Sequence, residues 1–187
     1  MSSSHSPERK IIAVDMDEVI ADALGEHLTR YNRDFANDHT AALTLEDLRG
    51  RRLWQVAPAQ RHPVIDNYLR EDDFFRVLQV MPNSQRVLER LQSRYEVFIA
   101  SAAMEVPTSF VAKYDWLAEH FPFIPTSHIV FCGDKSILRA DYLIDDNPRQ
   151  LALFRGEGIL YTSPANIHIN GYRRVDDWLA VEQMFLD

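Results

Sequence analysis

Cysteine is nearly missing from this 187-residue chain. The one thiol, Cys132, excludes an internal disulfide and a zinc site built on cysteines. Positive charge is also in short supply. Twenty Lys and Arg stand against 28 Asp and Glu, giving a net charge of -8 and a pI near 5.3. That balance argues against broad electrostatic binding of nucleic acid or anionic lipid, so neither nucleic acid nor membrane is expected as a partner. A local cation can still hold a small phosphorylated substrate. No apolar run approaches the length of a membrane span. The opening MSSSHSPERK lacks the apolar stretch of a secretory signal, residues 1–8 read as a disordered lead-in, and a cytoplasmic location is expected. The seven histidines show no paired ligand spacing and read as surface or core residues.

What the chain does have is 46% hydrophobic residues, enough for a packed core. Five short apolar runs have strand length: KIIAVD, YEVFIA, HIVFCG, DYLID and GILYT. Helical patterns lie between them. Ile20, Leu24, Leu28, Tyr31 and Phe35 recur at helical spacing. NSQRVLERLQSRY offers Ser84 as N-cap over the stripe Val87, Leu88 and Leu91. PTSFVAKYDWLAEHF reads as a third helix, and NPRQLALFRG as a fourth with Asn147 as cap and Pro148 at its first position. VDDWLAVEQMFL closes the chain. This alternation implies a five-stranded parallel sheet with helices on both faces. Residues 23–79 break it, with helical periodicity and no convincing strand. They read as a helical cap inserted into a core of residues 9–22 and 80–187, with ordinary surface helices as the alternative.

Chemistry concentrates at the strand ends, where open α/β sheets bind ligands. The first run ends in Asp15 and Asp17, which point the same way in extended backbone and so can face one crevice. Two such carboxylates repel, and Mg²⁺ with its preference for oxygen ligands would relieve them. Other runs end in Ser101, in Lys135, and in the pair Asp145 and Asp146. Taken singly, each has a bland reading as a helix cap or a solvated side chain. Asp22 and Glu18 read as helix-capping or dipole residues, with a place near the site as a further reading of Glu18. Asp134 reads as a turn cap or a partner orienting Lys135, and Cys132 as buried and inert.

The order DxD, then Ser, then Lys, then DD resembles the haloacid dehalogenase superfamily of phosphatases. DMDEVIAD, KYDWLAEHF and ADYLIDDNP further resemble its 5'(3')-deoxyribonucleotidase family, over about residues 10–185. The resemblance implies that chain fold and a Mg²⁺-dependent phosphomonoesterase acting through an aspartyl-phosphate. Asp15 would be nucleophile and Asp17 general acid, a residue that favours phosphate-ester hydrolysis over carbon–halogen cleavage. Lys135 would stabilise Asp15 and the transferred phosphoryl group, and Ser101, with Ala102 beside it, would bind a phosphoryl oxygen. Mg²⁺ would take the Asp15 side chain, the Asp17 carbonyl and Asp146, with Asp145 behind them. Leu53, Trp54 and Gln55 would reach the substrate from the cap. The substrate would be a nucleoside monophosphate, and a homodimer is implied. Three positions depart from the family pattern: Ala23 stands where an aromatic is expected, and Glu105 and Gly133 where cations are. The alternatives are a phosphatase for another small metabolite, such as a sugar phosphate, and a non-catalytic phosphate-binding module.

Overall fold

The computed structural model describes residues 9–37 and 40–187. The lead-in expected over residues 1–8 lies outside the described residues, as does His39. The sheet is wholly parallel, in the order β3-β2-β1-β4-β5-β6. Its strands are β1 (Ile11–Val14), β2 (Glu96–Ser101), β3 (Ile129–Phe131), β4 (Tyr142–Asp145), β5 (Glu157–Tyr161) and β6 (Arg173–Val175). The first five are the apolar runs of the sequence. The sixth corrects the expected five. It pairs with β5 at the sheet edge, with exposed or half-buried arginines at Arg173 and Arg174. An edge strand of three residues needs no apolar run on two faces, so it leaves no hydrophobic signature.

Side-chain alternation along β1 divides the core. Ile12 and Val14 join the larger buried cluster, while Ala13 joins the smaller one with Leu143, Leu151 and Phe154. Helices α4 (Ser84–Leu91) and α7 (Trp178–Leu186) pack together over the first face, and α6 (Pro148–Leu153) covers β4 and β5 on the other. Two buried indoles pin loops to this core. Trp178 Nε1 donates to the Val19 carbonyl at 2.7 Å and Trp116 Nε1, in α5 (Phe110–His120), to that of Leu78 at 2.9 Å.

Between β1 and β2 run α1 (Ala23–Phe35), α2 (Leu53–Val56) and α3 (His62–Tyr68). Asp22 caps α1, accepting from the Gly25 N–H at 2.8 Å, so the periodic stripe begins after Ile20, which is buried in the preceding turn. The chain enters and leaves this excursion side by side: Asp22 N–H donates to Gln79 O and Met81 N–H to Ile20 O, each at 2.9 Å. Arg30 on α1, 3% exposed, ties the return segment down through Glu71 and Asp73 as well as its own Glu26. Leu48, Leu53, Ile65, Tyr68 and Phe74 extend the larger core cluster without a break. Ser84 is not the α4 cap. Asn83, at φ +66°, precedes the helix, and Ser84 is its first residue, with Oγ on the Met81 carbonyl at 2.8 Å.

Candidate active site

The chain runs from β1 outward to β2 and β3, then returns to place β4 on the other side of β1. That reversal is a topological switch point, where the carboxyl ends of neighbouring strands open a crevice. Asp15 follows β1 directly and continues its ladder, donating its N–H to Ile144 O at 2.9 Å. Asp145 ends β4 beside it. A cavity of about 410 Å³ opens there. Asp15, Asp17, Lys135, Asp145 and Asp146 line it from the sheet side, and Leu53 and Trp54 from the excursion.

Lys135 binds the two strand ends together. Its buried Nζ lies 2.5 Å from Asp15 Oδ1 and 2.6 Å from Asp145 Oδ2. Gln150 on α6 clamps its loop, accepting from the Lys135 N–H at 3.1 Å and donating to the Gly133 carbonyl at 3.2 Å. Asp134 turns away to accept from the Ser136 N–H, so it caps the turn. The other Asp145 oxygen accepts from the Asn147 N–H at 2.8 Å, so both its oxygens are engaged. Asp146 is half-buried, and Asn166 holds its carbonyl at 2.8 Å.

One oxygen from each of Asp15, Asp145 and Asp146 falls within 4.8 Å of the others. Crowding leaves its mark on the ionisation of Asp15 and Asp146. Burial, then Asp145 and Asp17, push the Asp15 carboxyl up to about 7, against the pull of Lys135. Burial, then Asp145 and Asp15, hold Asp146 well above the usual carboxylate range. For Lys135, burial alone would lower the ammonium, and Asp15 and Asp145 more than reverse it. A hard divalent cation fits this oxygen-only, charge-crowded donor set. Asp15 and Asp146 have oxygens to offer it, whereas Asp145 is spent on Lys135 and Asn147.

The remaining expected residues fare unevenly. Ala102 lines the cavity, but Ser101 is wholly buried beneath it. Leu53 is buried with one side on the cavity, and Trp54, 40% exposed, lines it with the Arg52 guanidinium 5.5 Å from its ring. Gln55 is not on the cavity wall, because its Oε1 accepts from the Arg52 N–H at 2.7 Å to start α2. Lys113 and His27 are among the cavity residues that escape the sequence reading. Lys113 on α5 pairs with Asp17 and donates to Ser101 Oγ. His27 on α1 is 8% exposed, with Nε2 finding no partner among the described residues. Glu18 accepts from the Leu24 N–H at 2.6 Å at φ +64°, the capping role expected of it.

A parallel sheet with acids at its switch point and a lysine between them defines a haloacid dehalogenase-like hydrolase fold. A haloacid dehalogenase-like hydrolase from Streptococcus pneumoniae superposes with TM-score 0.61 at 13% identity, covering 95% of this chain and 98% of that one. A hydrolase from Pseudomonas syringae gives 0.57 at 14%, covering 94% and 97%. Within that class, the chain belongs to the family described as 5' nucleotidase, deoxy (pyrimidine), cytosolic type C, whose model matches residues 9–187. The 5'(3')-deoxyribonucleotidase of Bacillus subtilis is 36% identical over 184 residues, covering 95% of this chain and 99% of that protein. A Staphylococcus aureus protein, provisionally given the same name, is 51% identical over 179 residues, covering 96% and 97%.

Proposed function

We propose that this protein is a Mg²⁺-dependent phosphomonoesterase that releases phosphate from nucleoside monophosphates, deoxyribonucleotides foremost. The observation that carries it is the meeting of Asp15, Asp17, Lys135 and Asp146 around one cavity at the switch point, in a chain of this family. Asp15 attacks phosphorus and the bond to the ester oxygen breaks, giving an aspartyl-phosphate. Asp17 gives the leaving oxygen its proton, then takes one from the water that frees inorganic phosphate. Lys135 favours the ionised form of Asp15 against the burial that opposes it, and faces the charge that gathers on the phosphoryl oxygens. Asp15, Asp146 and the Asp17 carbonyl would hold Mg²⁺, whose bound charge offsets repulsion between carboxylate and phosphate. The excursion over residues 23–79 serves as cap over the core of residues 9–22 and 80–187, presenting Leu53 and Trp54 to the substrate.

A generic aryl phosphate assayed with and without Mg²⁺ tests this. Release is expected only with the ion, and Asp15→Asn is expected to remove at least about 1,000-fold of it. Undiminished release by that variant would sink the mechanism. A second substrate class, sugar phosphates, draws support from Ala23 on the cavity wall in place of a ring and from Gln55 off it. A panel of deoxynucleotides, ribonucleotides and sugar phosphates separates the two by specificity constant. Among the described residues no helix is long and apolar enough to cross a membrane. The description of the family as cytosolic supports a cytoplasmic location. Exposed Val111 and Tyr114 on α5 are available to the homodimer implied by the resemblance, which light scattering would detect.

A further inference from the structure

Lys113 is 2% exposed, yet its ammonium reaches the middle of the site. It pairs with Asp17 Oδ2, donates to Ser101 Oγ at 3.1 Å, and lies 4.5 Å from the centre of the Phe75 ring. An ammonium has three protons and accepts nothing. Here three acceptors surround it: a carboxylate, a hydroxyl and an aromatic face. A group so saturated has no proton left for a phosphoryl oxygen. It is built to stay in place, and the three partners come from three parts of the chain. Asp17 follows β1, Ser101 ends β2, and Phe75 lies on the segment returning from the excursion.

The consequence falls on Asp17. Its two oxygens are not equivalent. Oδ2 is held by Lys113, while Oδ1 is shielded from solvent and finds no hydrogen-bond partner among the described residues. A proton on Oδ2 would set an O–H against an N–H of the ammonium, donor facing donor. A proton on Oδ1 meets no such conflict. We propose that Lys113 is a positioning residue that fixes which oxygen of Asp17 carries the transferred proton, with Ser101 and Phe75 locking the lysine in turn. This rests on the reading of Asp17 as the general acid. No bond is made or broken at Lys113. It sets the rotamer of Asp17 and leaves Oδ1 as the oxygen free to bear the proton. Ser101, buried below the cavity, acts here as the anchor of that lysine.

The role predicts a dependence on the leaving group that a merely structural lysine would lack. Nitrophenolate departs without help from an acid, whereas unsubstituted phenolate and alkoxides need the proton. In Lys113→Met, kcat/KM, which reports formation of the aspartyl-phosphate, is expected to fall less than about 10-fold for 4-nitrophenyl phosphate and about 100-fold or more for phenyl phosphate. Equal falls on both substrates would overturn the proposal. Should the single variant fail to fold, Asp17→Asn is compared with Asp17→Asn/Lys113→Met, in which neither charge of the pair is left alone. With the proton donor already gone, removing Lys113 is expected to cost less than about 3-fold on phenyl phosphate, whereas a further 100-fold loss there would refute the positioning role. A wild-type protein inactive on both aryl phosphates with Mg²⁺ would instead count against the phosphatase reading itself.

Discussion

At the scale of single residues, burial decides what the site can do, and burial is what a sequence conceals. His27 shows this. Its ring centroid lies 4.9 Å from that of Phe74 and 6.2 Å from that of Tyr68, and burial lowers its imidazole to about 4. The unfolded chain binds a proton there from about pH 6.5 downward. Stability is therefore full above that value and is lost as pH falls through 4, by about 3 kcal/mol when complete. His27→Phe, close in volume and apolar, is expected to flatten the acid side of a denaturation series between pH 6.5 and 4. An unchanged slope would mean that other groups set it. The acids were readable because each sits at the end of an apolar run, where local pattern and position coincide. Lys113 was not, because it lies 12 residues past Ser101 and one helix away, and its side chain crosses back beneath the cavity. Gln150 is hidden for the same reason, reaching Lys135 across 15 residues.

At the scale of elements, the rim that carries Trp54 depends on one backbone position. Gly50 sits at φ +70° and donates its N–H to Pro164 O at 2.8 Å, tying the approach to α2 to the loop after β5. A Cβ there would meet His168 Cδ2 at 2.4 Å, in a conformation that L side chains avoid. Gly50→Ala is expected to cost about 1–2 kcal/mol in thermal unfolding. Because the strain displaces the rim and not the strand ends, KM for the preferred substrate should rise more than kcat falls. A fall confined to kcat would detach the rim from substrate binding. Elements themselves were legible where burial on two sheet faces demanded an apolar run, which found β1 to β5. Strand β6 escaped because its edge position lets arginines fill it. The α4 cap escaped because Asn83 uses a left-handed backbone, with no side-chain cap bond, to turn the chain into the helix.

At the scale of the whole molecule, protons and the proposed Mg²⁺ would compete for the same crowded oxygens. Asp15, Asp146 and Glu18 are all raised, chiefly by burial, so the folded protein holds protons that the unfolded chain has released. The sign is opposite to that of His27. Stability from these groups is complete below the ordinary carboxylate range and is lost as pH rises through the folded value, about 7 for Asp15. With a chelator present, the melting temperature should therefore fall between pH 5 and 8. Mg²⁺ held by the folded form through ionised oxygens, as proposed, would displace those protons and stabilise more where fewer compete. Its increment in melting temperature should be small at pH 5 and larger at pH 8, and Asp146→Asn should reduce it. Equal increments at both pH values would mean that the ion binds elsewhere. The net charge of -8 acts in the same direction on a cation but does not depend on one carboxylate, so the Asp146→Asn comparison separates the site from the general field.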